Sequence, residues 1–379
     1  MIRRLCTTIL MVSLIIVLAV SASVKASVIN LGTLGGNYSR AYGINNSGQI
    51  TGVAKNSSGS DRIFFWSNGT MINTGYSVGN TPGSYSVFDL DDNGNIVGGY
   101  KSSTPYPGTE YYFWNACVLK NNGGSWSYKT LPHNSWGSTF DVSSSGKIVG
   151  YDAIYGADYQ GVVWTPDANF NYSASFVVNT YGRGINSSNH IVGETFTNTL
   201  GTLSNYSYRY WSNWGGTSVV IPGAWYNNSP GGVRDISDSD EIIGSTTYSN
   251  AVVWRNPYDT NPVNLGSGFA SKINDNGTII IGNDGSDIVL WIKNGADWSD
   301  FIRIDSLNAL VNDATWYLGG VTDVNNLGQV VGWGTYNGET RAFLINDVAG
   351  LLGSPVPEPH TVILLFLGTS ELIRRKIKR

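Results

Sequence analysis

The sequence predicts an all-β protein, and within that class a seven-bladed β-propeller closed by its own N-terminal strand. Three observations carry the prediction. A nine-residue pattern recurs seven times, each copy is followed by a second apolar run of fixed character, and the two ends of the repeat array complement one another. Composition agrees: charged residues make up only 13 % of the 379, while Gly and aromatic residues are abundant. Two ordinary domains would fit this length, but evenly spaced repeats argue for one array.

The nonapeptide occupies residues 44–52 (INNSGQITG). It returns at 90–98 (LDDNGNIVG), 142–150 (VSSSGKIVG), 185–193 (INSSNHIVG), 236–244 (ISDSDEIIG), 273–281 (INDNGTIII, its Gly282 one place late) and 324–332 (VNNLGQVVG). Each copy reads as a β-hairpin. The first position is Ile, Leu or Val and the seventh Ile or Val, so both flanks of the turn carry strand-forming, core-facing side chains. Position two is Asn, Asp or Ser, whose side chains bond backbone two places on. Position five is the sharpest test, because a three-residue hairpin loop ends at positive φ and forms a bulge. Five copies place Gly there (Gly48, Gly94, Gly146, Gly277, Gly328), and the other two place Asn189 and Asp240, which tolerate left-handed geometry best after Gly.

After each hairpin comes a run closing on a large side chain: residues 63–66, 116–119, 161–164, 208–211, 251–254, 288–291 and 341–344, five of them ending in Trp. A turn such as Asn68-Gly69, Asn122-Gly123 or Asn294-Gly295 follows. A fourth strand is then predicted near 71–73, 129–131, 177–179, 219–221, 263–265 and 302–305. Four strands in about 45 residues is the size of a propeller blade. The seventh unit stops at Asn346 without a fourth strand, while residues 28–31 (VINL) precede the first unit and match 263–265. Building one blade from both termini removes the open edge of a ring. An open β-solenoid is the alternative, and the stray first strand counts against it.

The units resemble the extracellular repeats named HAF after a His-Ala-Phe run, which stands here as Arg341-Ala342-Phe343, with Arg in place of His. The resemblance covers residues 27–348 and implies a secreted repeat protein with no established activity.

Both ends of the chain carry export signals. Arg3 and Arg4, an apolar run at 9–20 and the small-residue site Val24-Lys25-Ala26 before Ser27 make residues 1–26 a secretory signal peptide, cut between Ala26 and Ser27. A retained anchor is the other reading, but the apolar core is short for a span. At the far end, residues 349–379 form a linker and tail. Pro357-Glu358-Pro359, an apolar stretch at 361–367, and Arg374-Arg375-Lys376 with a basic end are similar to a PEP-CTERM sorting signal. That resemblance implies cleavage by an exosortase-type membrane protease in a Gram-negative-type envelope. Transient membrane anchoring of the tail by its basic stop goes with it.

Between these ends, residues 27–357 hold 15 Lys and Arg against 25 Asp and Glu, a net of −10. An acidic body is a poor partner for nucleic acid phosphates. Cys6 leaves with the leader, so Cys117 stands alone and no disulfide framework or metal cluster is available. Cys117 takes the place held by Phe64, Val162, Val252 and Val289 in other units and reads as a small core residue. His133 and His190 lack metal-ligand spacing, and His190 sits at the free sixth position of a turn, where solvation is expected. No nucleophile elbow or phosphate-cradling loop is present. No catalytic residue and no cofactor is therefore assigned.

One pattern does invite chemistry. The residue before each copy is Asp89, Asp141, Asp235 and Asp323 in four units, against Gly43, Gly184 and Lys272 in the others. If the first strand of each hairpin is innermost, these carboxylates recur around the central channel. There they either bind a cation such as calcium or a polyhydroxy ligand, or bond local backbone and a neighbouring blade. The turn acids Asp91, Asp92, Asp238, Asp240 and Asp275 fit no complete calcium loop and are expected in solvent. Tyr106, Tyr111, Tyr112, Trp126, Trp136, Trp214, Trp225, Tyr226 and Trp316 fall in longer loops, where they would either stack on sugars or pack between blades. The sequence thus points to a secreted or cell-surface, non-enzymatic repeat protein serving adhesion, matrix or polysaccharide binding. The alternative is a propeller-type glycan hydrolase or lyase using the channel Asp residues.

Overall fold

The computed structural model of the chain describes residues 27–348, apart from 80–83, 106–107, 109, 111, 135, 154–158, 200–201, 225–231, 248–249 and 312. The signal peptide with Ala26 and the whole sorting tail lie outside the described residues.

The hairpins and runs assemble into seven antiparallel four-stranded sheets. The first blade is β2 (Gly35–Ile44), β3 (Ile50–Asn56), β4 (Asp61–Ser67) and β5 (Thr70–Ser77). The second is β6 (Tyr85–Leu90), β7 (Ile96–Lys101), β8 (Trp114–Asn121) and β9 (Trp126–Thr130). The third is β10 (Trp136–Val142), β11 (Ile148–Ala153), β12 (Tyr159–Pro166) and β13 (Tyr172–Val178). The fourth is β14 (Thr180–Ile185), β15 (Ile191–Thr199), β16 (Thr202–Trp211) and β17 (Val219–Val220). The fifth is β18 (Val233–Ile236), β19 (Ile242–Thr247), β20 (Asn250–Trp254) and β21 (Val263–Ser267). The sixth is β22 (Phe269–Ile273), β23 (Ile279–Asp284), β24 (Asp287–Lys293) and β25 (Phe301–Ile304).

A short helix, α1 (Leu307–Val311), leads to the seventh blade: β26 (Trp316–Val324), β27 (Val330–Tyr336), β28 (Glu339–Ile345) and, as its outer strand, β1 (Val28–Asn30). Val28 pairs with Ile345 and Asn30 with Phe343, so the N-terminal strand closes the ring as the sequence predicts. The seven-bladed propeller holds and the solenoid does not. In the third blade the fourth strand lies earlier than the expected 177–179, because the run from Tyr172 pairs with β12 throughout.

The core is divided among the joints between blades. Seven apolar clusters each draw on two adjacent sheets. In the joint of the last and first blades, for example, Val331, Ala342 and Leu344 pack on Ala41, Ile50 and Phe64. Alternation along each strand places one set of side chains against each neighbour. Cys117 lies in the joint of the first two blades, fully buried, with its thiol pushed up to about 12 by burial. The recurrent Trp of the third strand also ties blades together. The indoles of Trp164, Trp254 and Trp291 donate to the carbonyls of Pro132, Pro222 and Leu265 in the preceding unit. Among the described residues no helix is long and apolar enough to cross a membrane.

Each hairpin turns as predicted. The fifth-position residues have φ between +62° and +77°, Asn189 and Asp240 included. Asn45 shows the role of position two: its Oδ1 accepts the N–H groups of Ser47 and Gln49.

Candidate functional site

β2, β6, β10, β14, β18, β22 and β26 contact one another around the axis, so the first strand of each hairpin lines the channel. All seven carry a bulge at the same place. In β10 the register steps from Thr139 to Asp141, leaving Phe140 without a partner. The same step occurs before Gly43, Asp89, Gly184, Asp235, Lys272 and Asp323. A bulge re-aims the residue that follows it, and here it turns Asp141, Asp235 and Asp323 to the joint with the next blade.

There the carboxylates meet backbone. Asp141 Oδ2 accepts from Ile185 N–H at 2.8 Å, Asp235 Oδ2 from Ile273 N–H at 3.1 Å, and Asp323 Oδ2 from Ile44 N–H at 2.7 Å, each across a joint. Asp89 Oδ1 accepts from Leu90 N–H at 2.8 Å. The glycines at this position make room for the neighbour. A Cβ on Gly43 would lie 2.6 Å from Asp89 Oδ1, and one on Gly184 3.0 Å from Asp235 Oδ1.

The four acids also share one cation. Lys272 Nζ reaches across the channel to Asp141 Oδ1 at 2.8 Å, and lies 3.6 Å from Asp89 Oδ2 and 3.9 Å from Asp235 Oδ2. Burial raises the carboxyls: Asp235 is pushed up to about 7 and Asp323 to about 6 against the pull of Lys272. Asp89 is held well above the carboxylate range by burial and by the charge of Asp323. Burial opposes the ammonium of Lys272, but Asp141, Asp235, Asp89 and Asp323 together outweigh it and keep it protonated. The free space beside the ring is about 60 Å³, room for a few waters and far below the ~300 Å³ at which small-molecule sites begin. Among the described residues no group of His, Cys, Asp and Glu is arranged to hold a metal.

The hairpin tips continue the knitting at this mouth. Asn45 donates to Asp91 O, Asn186 to Ser237 O, Asn274 to Asn325 O and Asn325 to Asn45 O, so position two bridges successive blades. Asn46 Nδ2 crosses to Asp275 Oδ2 at 2.8 Å. The turn acids are tied across the joints by hydrogen bonds, although Asp238 remains exposed as expected. Asp91 is buried, Asp92 accepts from Asn46 N–H, and Asp238 accepts from Ser187 N–H. Asp240 corrects the reading of His190 as well: His190 Nδ1 lies 2.7 Å from Asp240 Oδ1, and Tyr210 donates to Oδ2 of the same carboxylate. Turn chemistry hid this pair, because its partner belongs to the next blade. Lys272, the central cation, was visible as the one base at a position otherwise Asp or Gly.

Of the aromatics expected in loops, Trp126, Trp136 and Trp316 instead open strands β9, β10 and β26, and they pack. Trp316 is buried against Tyr336 and Phe343, Trp126 lies 5.2 Å from Phe65, and Trp136 meets Phe113, Tyr151 and Tyr159. Trp214 packs on Trp211 and donates to Ser175 O. Tyr112 is exposed. Tyr106, Tyr111, Trp225 and Tyr226 lie outside the described residues. His133 is half-buried and held below the usual histidine range by burial.

No family model and no curated protein matches the sequence. Solved structures do. The chain is similar to the β-propeller domain of the Trilobed protease from Pyrococcus furiosus, described as having an open velcro topology (TM-score 0.49, 10 % identity, 82 % of this chain and 96 % of that one). It is also similar to an acylaminoacyl peptidase from Pyrococcus horikoshii (TM-score 0.49, 10 % identity, 84 % of this chain), of which it spans 52 %. A third is the polysaccharide lyase Uly1 (TM-score 0.46, 11 % identity, 84 % of this chain and 91 % of that one). At these identities the likeness concerns the fold alone.

Proposed function

We infer that this protein is a non-enzymatic binding propeller of the cell exterior, and that its ligand is extracellular polysaccharide. The observation that carries the reading is the internally engaged acidic ring. Its carboxylates are engaged by backbone N–H groups and by Lys272, and beside them is space for water only. A hydrolase or lyase needs an acid or base within reach of a bound sugar. The ring instead acts as an internal clasp, with Lys272 where calcium would otherwise sit. Ligand contact then falls to surfaces where the seven units differ. In keeping with the HAF and PEP-CTERM resemblances, we place the mature protein outside a Gram-negative-type cell, delivered through the leader and sorted by an exosortase-type protease. Incubation with a panel of extracellular polysaccharides tests the reading. Retention on at least one without new reducing ends or unsaturated sugars is the expected result. Cleavage abolished by Asp235→Asn would replace it with the hydrolase or lyase.

A further inference from the structure

A cavity of about 420 Å³ lies at the opposite mouth from the acidic ring, between the sixth and seventh blades. That is within the range of small-molecule sites. Its lining is mixed and uncharged: Ser271, Asn283, Ser286 and Thr335 contribute hydroxyls and an amide, beside apolar side chains and the rings of Tyr317 and Trp333. Trp333 is a fixed wall. Its ring packs on Gly319 and Gly320, where a Cβ would come within 2.4 Å and 3.0 Å, and the Arg40 guanidinium covers it at 3.9 Å. Tyr317, paired with Thr335 across β26 and β27, is 62 % exposed and offers a free aromatic face.

The geometry points to this cavity as the binding site for a neutral sugar residue of the polysaccharide, an inference that rests on the binding reading above. An aromatic face takes the C–H side of a pyranose, and surrounding hydroxyls and an amide take its O–H groups. A uronate or sulfated sugar would bring a charge onto a body of net −10 and into a cavity whose lining residues carry no cation, the neighbouring Arg40 guanidinium being stacked on the Trp333 ring. The other aromatic-rich surfaces are filled by their own ring contacts, as at Tyr76, Tyr85, Tyr100 and Tyr128.

Binding of the full chain to immobilised neutral glucans, mannans and galactans, and in parallel to uronate-rich and sulfated polysaccharides, tests it. Tyr317→Ala and the cavity-filling Ser286→Trp are compared with Tyr258→Ala, an exposed aromatic elsewhere. Melting temperatures check that each variant folds. The expected result is binding to a neutral polysaccharide, weakened about tenfold by either cavity variant and unchanged in Tyr258→Ala. Neutral binding that both cavity variants leave intact overturns the site while sparing the binding reading, and so does binding confined to acidic polysaccharides. No binding to any class overturns both.

Discussion

Lys272 is the residue on which the channel depends. It is a quarter exposed and faces four buried carboxylates, so removing its charge leaves clustered acids with no cation to offset their mutual repulsion. Lys272→Met is expected to lower the unfolding free energy by about 3 kcal/mol at pH 7, measured by denaturant unfolding. The loss should shrink as pH falls toward 4. Asp89, Asp235 and Asp323 have folded pKa values above their unfolded ones, so the native state binds more protons across that window and gains stability as pH drops. An equal loss at pH 5 and pH 8 would show that the ring does not carry the charge assigned to it. The aspartates were legible in the sequence as a period. Their clasp was not, because it needs Lys272 and Asp141, 131 residues apart, on facing walls of one channel.

At the scale of one element, the hairpin explains two features that turn chemistry leaves open. The ninth position is Gly because the bulge in the inner strand brings a carbonyl to where a Cβ would stand. A Cβ on Gly52, Gly98, Gly150, Gly193, Gly244, Gly282 or Gly332 would lie about 2 Å from a backbone oxygen of the paired strand, 2.1 Å from Ser138 O in the case of Gly150. Gly282 falls one place late because the sixth hairpin holds an extra residue, Asn274 bonding Ile279 where Asn45 bonds Gln49. The expected consequence is that Gly150→Ala destabilises by about 3 kcal/mol, the upper end of overpacking losses. Gly59→Ala, at an exposed turn with open space around it, costs less despite its φ of +79°. Thermal melts of the two variants compare them directly, and equal losses would put the constraint in backbone dihedrals rather than in the close approach.

At the scale of the molecule, closure combines β1 on β28 with side-chain ties from the last blade to the first. Asp323 takes Ile44 N–H, Asn325 takes Asn45 O, and Arg341 Nη1 donates to Asn37 O at 2.7 Å. Arg341, which stands where the resembling repeats carry His, thus serves the closing joint. The described chain runs on from Ile345 to Val348, which is buried in the joint of the last two blades, and the sorting proposal concerns the residues beyond it. Protein recovered from the native host is expected to have an intact mass that lacks everything beyond the Pro357-Glu358-Pro359 region. A full-length C terminus would refute the sorting proposal.

The sequence by itself determined what depends on neighbours within a few residues: seven hairpins, their left-handed fifth positions, four strands to a unit, and complementary ends that close a ring. Tertiary structure alone decided what those repeats do to one another. The Lys272 clasp, the His190–Asp240 pair and the neutral cavity beside Tyr317 all join residues from different blades. A one-dimensional period records that positions are equivalent. It does not record which equivalent positions face each other across a channel or a joint, and there charge, burial and free space are settled.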